Sequence, residues 1–580
     1  MSRREPASAT AGSTGVHPFS DPSVSSGTRR FPRRLLPWAV LVLGGFAAWW
    51  STLGASLSDD GHNIALAWRM SLGDAPFVDE MNLRATGSLL AVPFTWLWIQ
   101  LMGMTGLVLA SRLLFVAVAF GAGILVYRAL RTTLPPVTAA TASIVPLMAI
   151  PYHLGQISYN TMPIIGLLLG TAAGFAAVRT QDRRWAFGCG AATAMSVISF
   201  PTVVAGAALL LVTVMALSRR RTVVVAIVLG GLVVSAPFAT WLLLGAGPST
   251  VADTLRLTLD SQVVAAPMSQ RVGNAVEMYV GHLGQPSYWP MWGAAVVAAG
   301  PRLGIGVRAA ALAAVPLLAF APILVAMLTG SADMFGRLAG VYVTVLCLVL
   351  IVPVCVWVIQ SGRRDVGTLL ILTVPVALVQ VPVVTATTMS GPHWGVHVIG
   401  GCSLVMALTA GWLEMLTPWA RPAVGTALVA SCGFLLATTP FRDPYPWDAT
   451  SRITEGAFAG VSTDDEGATR IAEMSAVARR WVGPDDGVLL YGLAGDYLLT
   501  GGRPVTNLLW LGAFGGANHA TLDYFDRSGR TPDVVFVNRA LIDGHGGYEA
   551  VAKDDPLIAF VLGNYRLVEQ EAGVADVFRR

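Results

Sequence analysis

Long apolar stretches alternate with short clusters of arginine along most of the chain. Runs of about 20 apolar residues match the roughly 30 Å hydrocarbon core of a bilayer, so the pattern predicts a polytopic α-helical membrane protein. We expect about thirteen spans, at about 35–57, 107–127, 137–154, 161–178, 186–200, 201–217, 222–245, 291–300, 309–328, 338–360, 365–387, 395–416 and 422–439.

The arginine clusters predict the orientation of these spans. Arg29, Arg30, Arg33 and Arg34 precede the first apolar run, and basic residues favour the cytoplasmic side, so we expect the N-terminus inside. The apolar stretch Leu89–Met104 is predicted to lie on the outer surface, because only then does every later arginine cluster fall inside. The odd span count places the C-terminal segment outside the cytoplasmic membrane.

Composition divides the chain into three parts. Residues 1–34 are rich in Ser, Thr, Pro, Gly and Arg and predict a disordered cytoplasmic tail. Residues 35–440 form the predicted membrane domain, with a first outer loop at 58–106. In residues 441–580 charged residues return, and β-rich runs alternate with helical stretches such as Gly467–Trp481. We expect these residues to form a small extracytoplasmic α/β domain.

Acidic residues are concentrated directly after the first predicted span. Only 12% of the 580 residues are charged, against about 25% in an ordinary soluble domain. Even so, one short loop carries five carboxylates, on Asp59, Asp60, Asp74, Asp79 and Glu80. Two explanations fit these acids equally well: they solvate an outer loop, or they take part in catalysis.

The same loop could support group transfer. Moving a sugar from a lipid phosphate to a hydroxyl needs a carboxylate that takes a proton and a cation that stabilises the departing phosphate. Asp59 and Asp60 are candidate bases, and Asp79 with Glu80 forms a second acidic pair that could bind a divalent cation or orient the first pair. The candidate phosphate ligands are Arg69 and Arg84.

The first 130 residues resemble a known family. The segment SDDGHNIALAWRMSLGDAPFVDE, followed by SLLAVPFTWLWIQLMG and ASRLLFVAVAFGAGILVYRAL, is similar to the opening of the GT-C glycosyltransferases. The nearest branch includes the protein O-mannosyltransferases and the bacterial aminoarabinose transferases. The pair Asp59-Asp60 and the element Gly73-Asp74-Ala75-Pro76-Phe77-Val78-Asp79 correspond to the acidic elements of that family.

This resemblance implies a reaction class. It implies transfer of a sugar from a polyprenyl-phosphate donor on the outer leaflet to an envelope glycan, lipid or protein acceptor. Asp59 would be the base, with Asp60 and Asp79 as further catalytic acids; whether these last two also bind a divalent metal ion stays open. Single displacement would invert the anomeric configuration. The chain departs from many relatives at Asn82-Leu83-Arg84-Ala85 and at Ser199-Phe200-Pro201.

Further polar residues are candidates for substrate binding. The loop contributes His62, and predicted outer span ends contribute His153, Tyr159, Asn160 and His393. Anchoring of helix ends at the membrane interface is the alternative for the residues at span ends. The long connection 246–290 could close over a lipid donor or be passive.

Two other functions stay open at this stage. A transporter or lipid flippase typically places ionisable residues within its spans, and the predicted spans contain few, which favours chemistry at the membrane surface. A non-catalytic scaffold for the cell envelope is the third interpretation. Nucleic acid is not an expected partner, because the net charge is only +4 and the arginines mark topology.

Overall fold

The computed structural model describes residues 35–150, 154–263, 268–300, 303–329, 338–387, 397–438, 444–512, 515–571 and 574–580. Residues 45–580 form one compact unit. The predicted tail 1–34 and the candidate ligands His153 and His393 lie outside the described residues.

Helices dominate the chain up to residue 438. The first nine are α1 Leu35–Ser51, α2 Asp59–Ser71, α3 Val92–Met102, α4 Leu107–Leu130, α5 Pro136–Met148, α6 Met162–Thr180, α7 Arg183–Ser199, α8 Val204–Leu217 and α9 Arg221–Trp241. The next eight are α10 Pro248–Val263, α11 Met268–Leu283, α12 Trp289–Ala299, α13 Ile305–Leu328, α14 Leu338–Ser361, α15 Arg364–Thr387, α16 His397–Met415 and α17 Ala420–Thr438. Short 3-10 turns at Ala85–Ala91, Pro201–Val203 and Pro286–Tyr288 and a π turn at Leu242–Ala246 join some of them.

Every predicted span overlaps one of these helices. In the described part of the chain, nine helices are long and apolar enough to cross a membrane. The eleven residues of α12 reach only about 16 Å, too short for a bilayer core of about 30 Å. The polytopic helical class is therefore confirmed, while the count of thirteen spans stays a prediction. So does the surface position of Leu89–Met104, because Ala85–Met102 is one of the nine.

Close packing of α7 against α9 depends on two glycines. A Cβ on Gly190 would overlap the Ile227 carbonyl oxygen and lie 2.8 Å from the Gly231 nitrogen. A Cβ on Gly230 would overlap the Phe187 carbonyl in the same way. The two glycines thus allow the helix backbones to approach closely. Lipid is as apolar as the side chains, so helices in a membrane associate through such close packing at small residues.

The connection 246–290 is helical rather than an open loop. Helices α10 and α11 occupy most of it. The Thr254 hydroxyl on α10 donates to the Phe77 carbonyl of the first outer loop at 3.1 Å, and Leu257 packs against the core of the C-terminal segment. Helix α10 therefore rests on the first loop and on the C-terminal segment together.

The C-terminal segment is an α/β structure, as predicted. Its helices are α18 Asp465–Trp481, α19 Tyr497–Thr500, α20 Gly515–Ser528, α21 Arg539–Gly544, α22 Tyr548–Asp554 and α23 Pro556–Asn564. Its strands are β1 Ser451–Arg452, β2 Ser462–Thr463, β3 Gly487–Tyr491, β4 Arg503–Pro504, β5 Val534–Val537, β6 Arg566–Glu571 and β7 Ala575–Arg579.

Five of these strands form a mixed sheet of order β4-β3-β5-β7-β6. Strand β3 is parallel to β4 and β5, and β7 is antiparallel to β5 and β6. Strands β3 and β5 are buried throughout, which fits their uninterrupted apolar sequences GVLLY and VVFV. The small pair β1 and β2 is antiparallel.

The first outer loop and the C-terminal segment share one hydrophobic core. Leu66 and Trp68 of α2 belong to the same cluster of buried side chains as Val488 and Leu490 of β3 and Phe536 of β5. Burial of apolar surface is worth roughly 25 cal/mol per Å², so this shared core is a main source of cohesion between the two parts. The composition of the chain changes at the domain boundary predicted at residue 441, but one hydrophobic core contains residues from both sides of it.

We expect Gly190→Ala and Gly230→Ala to destabilise the protein by about 1–3 kcal/mol each, because an added methyl group overpacks the contact between α7 and α9. Thermal unfolding in detergent measures this. The matched controls are Gly188→Ala and Gly231→Ala, where a Cβ would meet only atoms 3.8–3.9 Å away. Equal unfolding temperatures for all four variants would show that the helices can separate without cost.

Candidate active site

Helix α2 carries the first two acids of the loop. Asp59 and Asp60 lie in its first turn and Arg69 in its last, so the charges complement the helix dipole. No side chain caps its N-terminus, and every residue from Asp60 to Met70 is buried. A buried helix with this many polar residues needs specific partners.

Asp60 is paired with an arginine of helix α4. Its Oδ2 accepts a close hydrogen bond from Arg112 Nη2 and another from Arg112 Nε at 3.2 Å, and both side chains are nearly inaccessible. Arg112 also donates to the carbonyls of Ser51, Leu53 and Gly54. The pair thus holds the end of α1 and the start of α2 against α4.

Arg69 is the centre of a second buried network. Its side chain is fully buried and contacts Asp74 at 2.9 Å, Glu80 at 2.7 Å and the carbonyl oxygen of Asp79 at 2.6 Å. It also donates to the Thr506 carbonyl of the C-terminal segment. A buried charge without such partners would be costly, so the loop folds around this guanidinium.

Two arginines of the C-terminal segment complete this network. Arg503 and Arg530 contact Asp74 at 2.9 and 3.0 Å, and Arg530 contacts Asp79 at 3.1 Å. Asp79 also accepts from the Tyr524 hydroxyl at 3.0 Å and from the Ala75 backbone N–H at 2.9 Å. These charges hold the loop onto the C-terminal sheet.

Glu80 is buried beneath the network. Its Oε2 accepts from Arg69 and from the Leu509 backbone N–H at 3.1 Å. Burial raises the pKa of Glu80 to about 7, although the Arg69 charge opposes this shift. Glu80 is therefore placed to titrate near neutral pH in a position closed to substrate.

These contacts bear on the predicted metal ligands. Asp60 and Asp79 each accept from an arginine of their own, Arg112 and Arg530. In the described part of the chain, no group of three or more His, Cys, Asp or Glu is arranged to bind a metal ion. Among the residues that the structure describes, Asp60 Oδ1 has no protein partner, so the arginine contacts alone do not exclude a cation, and a metal ion shared by Asp60 and Asp79 stays a prediction.

Asp59 lies in a different environment. It is half-exposed, and the Gln156 side chain donates to its backbone carbonyl at 3.3 Å. Its carboxylate and the Arg84 guanidinium both lie close enough to Tyr159 to shift the pKa of the Tyr159 hydroxyl. Asp59 and Arg84 therefore both lie near Tyr159.

Aromatic rings support the guanidinium of Arg84. Its carbon lies 5.5 Å from the centre of the Tyr159 ring and 5.7 Å from that of Phe200, within the range of cation–π contacts. The Arg84 side chain also donates to the Thr387 carbonyl at 3.3 Å. Arg84 is half-buried, and its contacts with Tyr159, Phe200 and Thr387 hold its positive charge in place.

Tyr159 keeps its proton in this setting. Burial, together with the Asp59 charge, raises the pKa of Tyr159 to about 12. A neutral phenol beside a guanidinium gives two hydrogen-bond donors for an anion, with a carboxylate nearby. This combination is suited to displacement of an anionic leaving group by a hydroxyl.

Three amide side chains, on α2 and on the segment 156–160, each have one polar atom without a protein partner. These atoms are Oδ1 of Asn63, Oε1 of Gln156 and Nδ2 of Asn160, all buried within the described residues. Buried polar atoms normally have partners, so these positions are suited to bound water or substrate. That Asn160 and Tyr159 line a site over the first loop stays a prediction.

His62 lies on α2, three residues after Asp59. It is fully buried, its ring contacts Trp510 with centroids 4.9 Å apart, and both ring nitrogens are without a protein partner. Burial lowers the pKa of His62 to about 3, so it is neutral at physiological pH. Its predicted role in substrate binding stays a prediction.

Sequence reasoning missed the partners of the acids. Arg503, Arg530 and Tyr524 were not candidates, because nothing in their local sequence distinguishes them from other polar residues. Arg112 could have been found, because it is the one charged residue within the predicted span 107–127. Phe200 could have been found from its position before Pro201, where the chain turns between α7 and α8. An aromatic ring at that turn is suited to support a cation.

Comparison with known proteins gives structural neighbours only. No protein-family model matches the chain, and no curated protein matches it. A structure of ArnT from Cupriavidus metallidurans bound to undecaprenyl phosphate is 14% identical, covers 93% of this chain and 98% of its own, and has a TM-score of 0.48.

Two further structures are similar. ArnT from Cupriavidus metallidurans in the apo state is 14% identical, with coverages of 93% and 97% and a TM-score of 0.45. The oligosaccharyltransferase of Archaeoglobus fulgidus in the apo form is 12% identical, with coverages of 94% and 76% and a TM-score of 0.43. Similarity at this level does not define an activity, so function has to be read from the side chains of this chain.

We expect Arg69→Met to destabilise the protein by about 3–5 kcal/mol, because it leaves Asp74 and Glu80 buried without their cation. The control is Arg256→Met, which removes an exposed guanidinium 3.6 Å from Asp253 and should change stability by less than about 1 kcal/mol. Thermal unfolding in detergent compares the two. Similar unfolding temperatures would mean that the network around Arg69 is not structural.

Glu80 should make stability depend on pH. Its pKa of about 7 in the folded state exceeds the usual 4.5, so its contribution is fully present below pH 4.5 and is lost as the pH rises through 7. Glu80→Gln should therefore gain stability relative to wild type between pH 5 and pH 8. The control Glu455→Gln changes an 82% exposed side chain and should follow wild type. Parallel curves for wild type and Glu80→Gln would contradict the assignment.

Proposed function

We propose that the chain is a membrane glycosyltransferase that moves a sugar from a polyprenyl-phosphate donor to an acceptor hydroxyl. The observation that carries this proposal is the placement of a half-exposed carboxylate, Asp59, and the Arg84 guanidinium near the neutral Tyr159 hydroxyl. The resemblance of the first loop to the GT-C glycosyltransferases supplies the donor class. The acceptor is an envelope glycan, lipid or protein.

Asp59 is the general base in this proposal. Its side chain is half-exposed, whereas Asp60, Asp74 and Glu80 are buried. A base must reach the acceptor hydroxyl within about 3 Å, which a buried, paired carboxylate cannot do without rearrangement. The position of Asp59 in the first turn of a buried helix fixes it relative to Arg84 and Tyr159.

Arg84 and Tyr159 bind the phosphate. The acceptor oxygen, losing its proton to Asp59, forms a bond to the anomeric carbon as the bond from that carbon to the phosphate oxygen breaks. The negative charge that develops on the leaving prenyl phosphate is stabilised by the guanidinium and by the phenol, which stays protonated because its pKa is about 12. One displacement inverts the configuration at the anomeric carbon.

The proposed reaction takes place on the outer face of the cytoplasmic membrane. The arginine clusters between spans support an N-terminus inside and a C-terminal segment outside. The exposed apolar side chains of α3, among them Trp96, Leu97 and Leu101, support its contact with lipid. No step requires a cation held by Asp60 and Asp79.

We expect Asp59→Asn to lower transfer by at least about a hundredfold, because removing a general base typically costs a factor of 10² to 10⁴. Membranes with wild type or variant are supplied with a panel of radiolabelled polyprenyl-phosphate sugars. The matched control is Asp448→Asn, an exposed acid of the C-terminal segment. The anomeric configuration of the labelled product is determined from the same reactions.

The outcomes separate the parts of the proposal. Transfer by wild type and by Asp448→Asn, lost in Asp59→Asn at equal protein levels, supports the enzyme class and the base. Equal transfer by all three proteins contradicts the role of Asp59. A retained anomeric configuration contradicts single displacement, and absence of transfer by wild type from every donor contradicts the reaction class.

A further inference from the structure

A turn of the C-terminal segment touches the backbone of the first outer loop beside Asp59. A Cβ on Gly495 would overlap the Leu57 carbonyl group and lie 2.9 Å from the Leu57 Cα. A Cβ on Gly61 would lie 3.0 Å from the Gly495 Cα and 3.2 Å from its carbonyl oxygen. The two glycines therefore allow direct contact between backbones that no side chain could enter.

This contact brackets the proposed base. Leu57 lies two residues before Asp59, and Gly61 two residues after it. Because α2 lacks a side-chain cap at Ser58, its first turn is held by backbone bonds from Gly61 N–H to Ser56 at 3.1 Å and from His62 N–H to Ser58 at 2.9 Å. The Gly495 backbone packs against this turn.

The turn that contains Gly495 is itself fixed to the sheet. It follows β3 directly, and the Gly492 N–H donates to the Leu511 carbonyl at 3.0 Å. The Asn538 side chain donates to the Gly492 carbonyl at 3.2 Å. Gly492 has a φ of +75°, a conformation that favours glycine. The position of the turn is thus set by the ends of β3 and β5.

We infer that Gly61 and Gly495 are positioning residues, through which the C-terminal sheet fixes Asp59 relative to Arg84 and Tyr159. This inference rests on the proposed function. The Arg112–Asp60 pair holds the same turn from the side of α4, so the first turn of α2 lies between two supports. A shift of about 1 Å in a catalytic group can cost a hundredfold in rate, which gives such supports a kinetic effect.

Two glycine variants test the inference by kinetics. We expect Gly61→Ala and Gly495→Ala to lower kcat at least tenfold while the KM for the donor changes less than about twofold. The double variant should lose little more than either single variant, because both break the same contact. The control Gly563→Ala adds a methyl group in open space on α23 and should keep the wild-type kcat.

A labelling measurement tests the same inference without activity. Asp59→Cys is reacted with a membrane-impermeant maleimide, and the rate is compared with and without Gly495→Ala or Gly563→Ala. We expect Gly495→Ala to change the labelling rate at least threefold and Gly563→Ala to leave it unchanged. Asp448→Cys, far along the chain from this contact, should label equally in all backgrounds.

The two arms distinguish the possible failures. Unchanged labelling of Asp59→Cys together with an unchanged kcat overturns the positioning role. A loss of kcat accompanied by an equal loss of donor affinity and of unfolding temperature also overturns it, since general destabilisation then accounts for the effect. If wild type transfers no sugar, the proposed function fails and the labelling rate alone decides the inference.

Discussion

Burial of the Arg69 guanidinium is the constraint on which the first loop and the C-terminal segment depend. A fully buried cation is tolerated only when its donors and charge are satisfied, and Asp74, Glu80 and two carbonyl groups do this. One of those carbonyls belongs to Thr506, so the loop cannot satisfy Arg69 without the C-terminal segment. The first loop and the C-terminal sheet consequently form one folding unit despite the long stretch of chain between them.

This arrangement separates two uses of acidic residues. Asp60, Asp74 and Asp79 form ion pairs with arginines, and Glu80 accepts from Arg69; these contacts connect the loop to α4 and to the C-terminal segment. Asp59 lies at the edge of this network, half-exposed and near Tyr159. Catalytic groups work best when surrounding contacts hold them in place before substrate arrives. The structural acids thereby hold Asp59, which we propose as the general base, in place.

The sequence predicted the helices better than it predicted the site. Apolar runs such as Leu338–Ser361 report directly on burial in lipid, so their periods and lengths were sufficient. The apolar runs in β3 and β5 also report burial, in this case within the C-terminal sheet. Helices α10 and α11 were expected as a loop, since they are too polar to resemble spans. The acids were expected to act together, because spacing cannot reveal that Arg503 and Arg530 would pair with Asp74 and Asp79.

The measurement that tests this division most directly is the unfolding temperature of Asp59→Asn beside that of Asp74→Asn, in the same detergent and at neutral pH. The account predicts that Asp59→Asn unfolds within about 2 °C of wild type, whereas Asp74→Asn unfolds far earlier because it leaves three arginines undercompensated. Equal destabilisation of both variants would contradict the account, since Asp59 would then be one more structural acid.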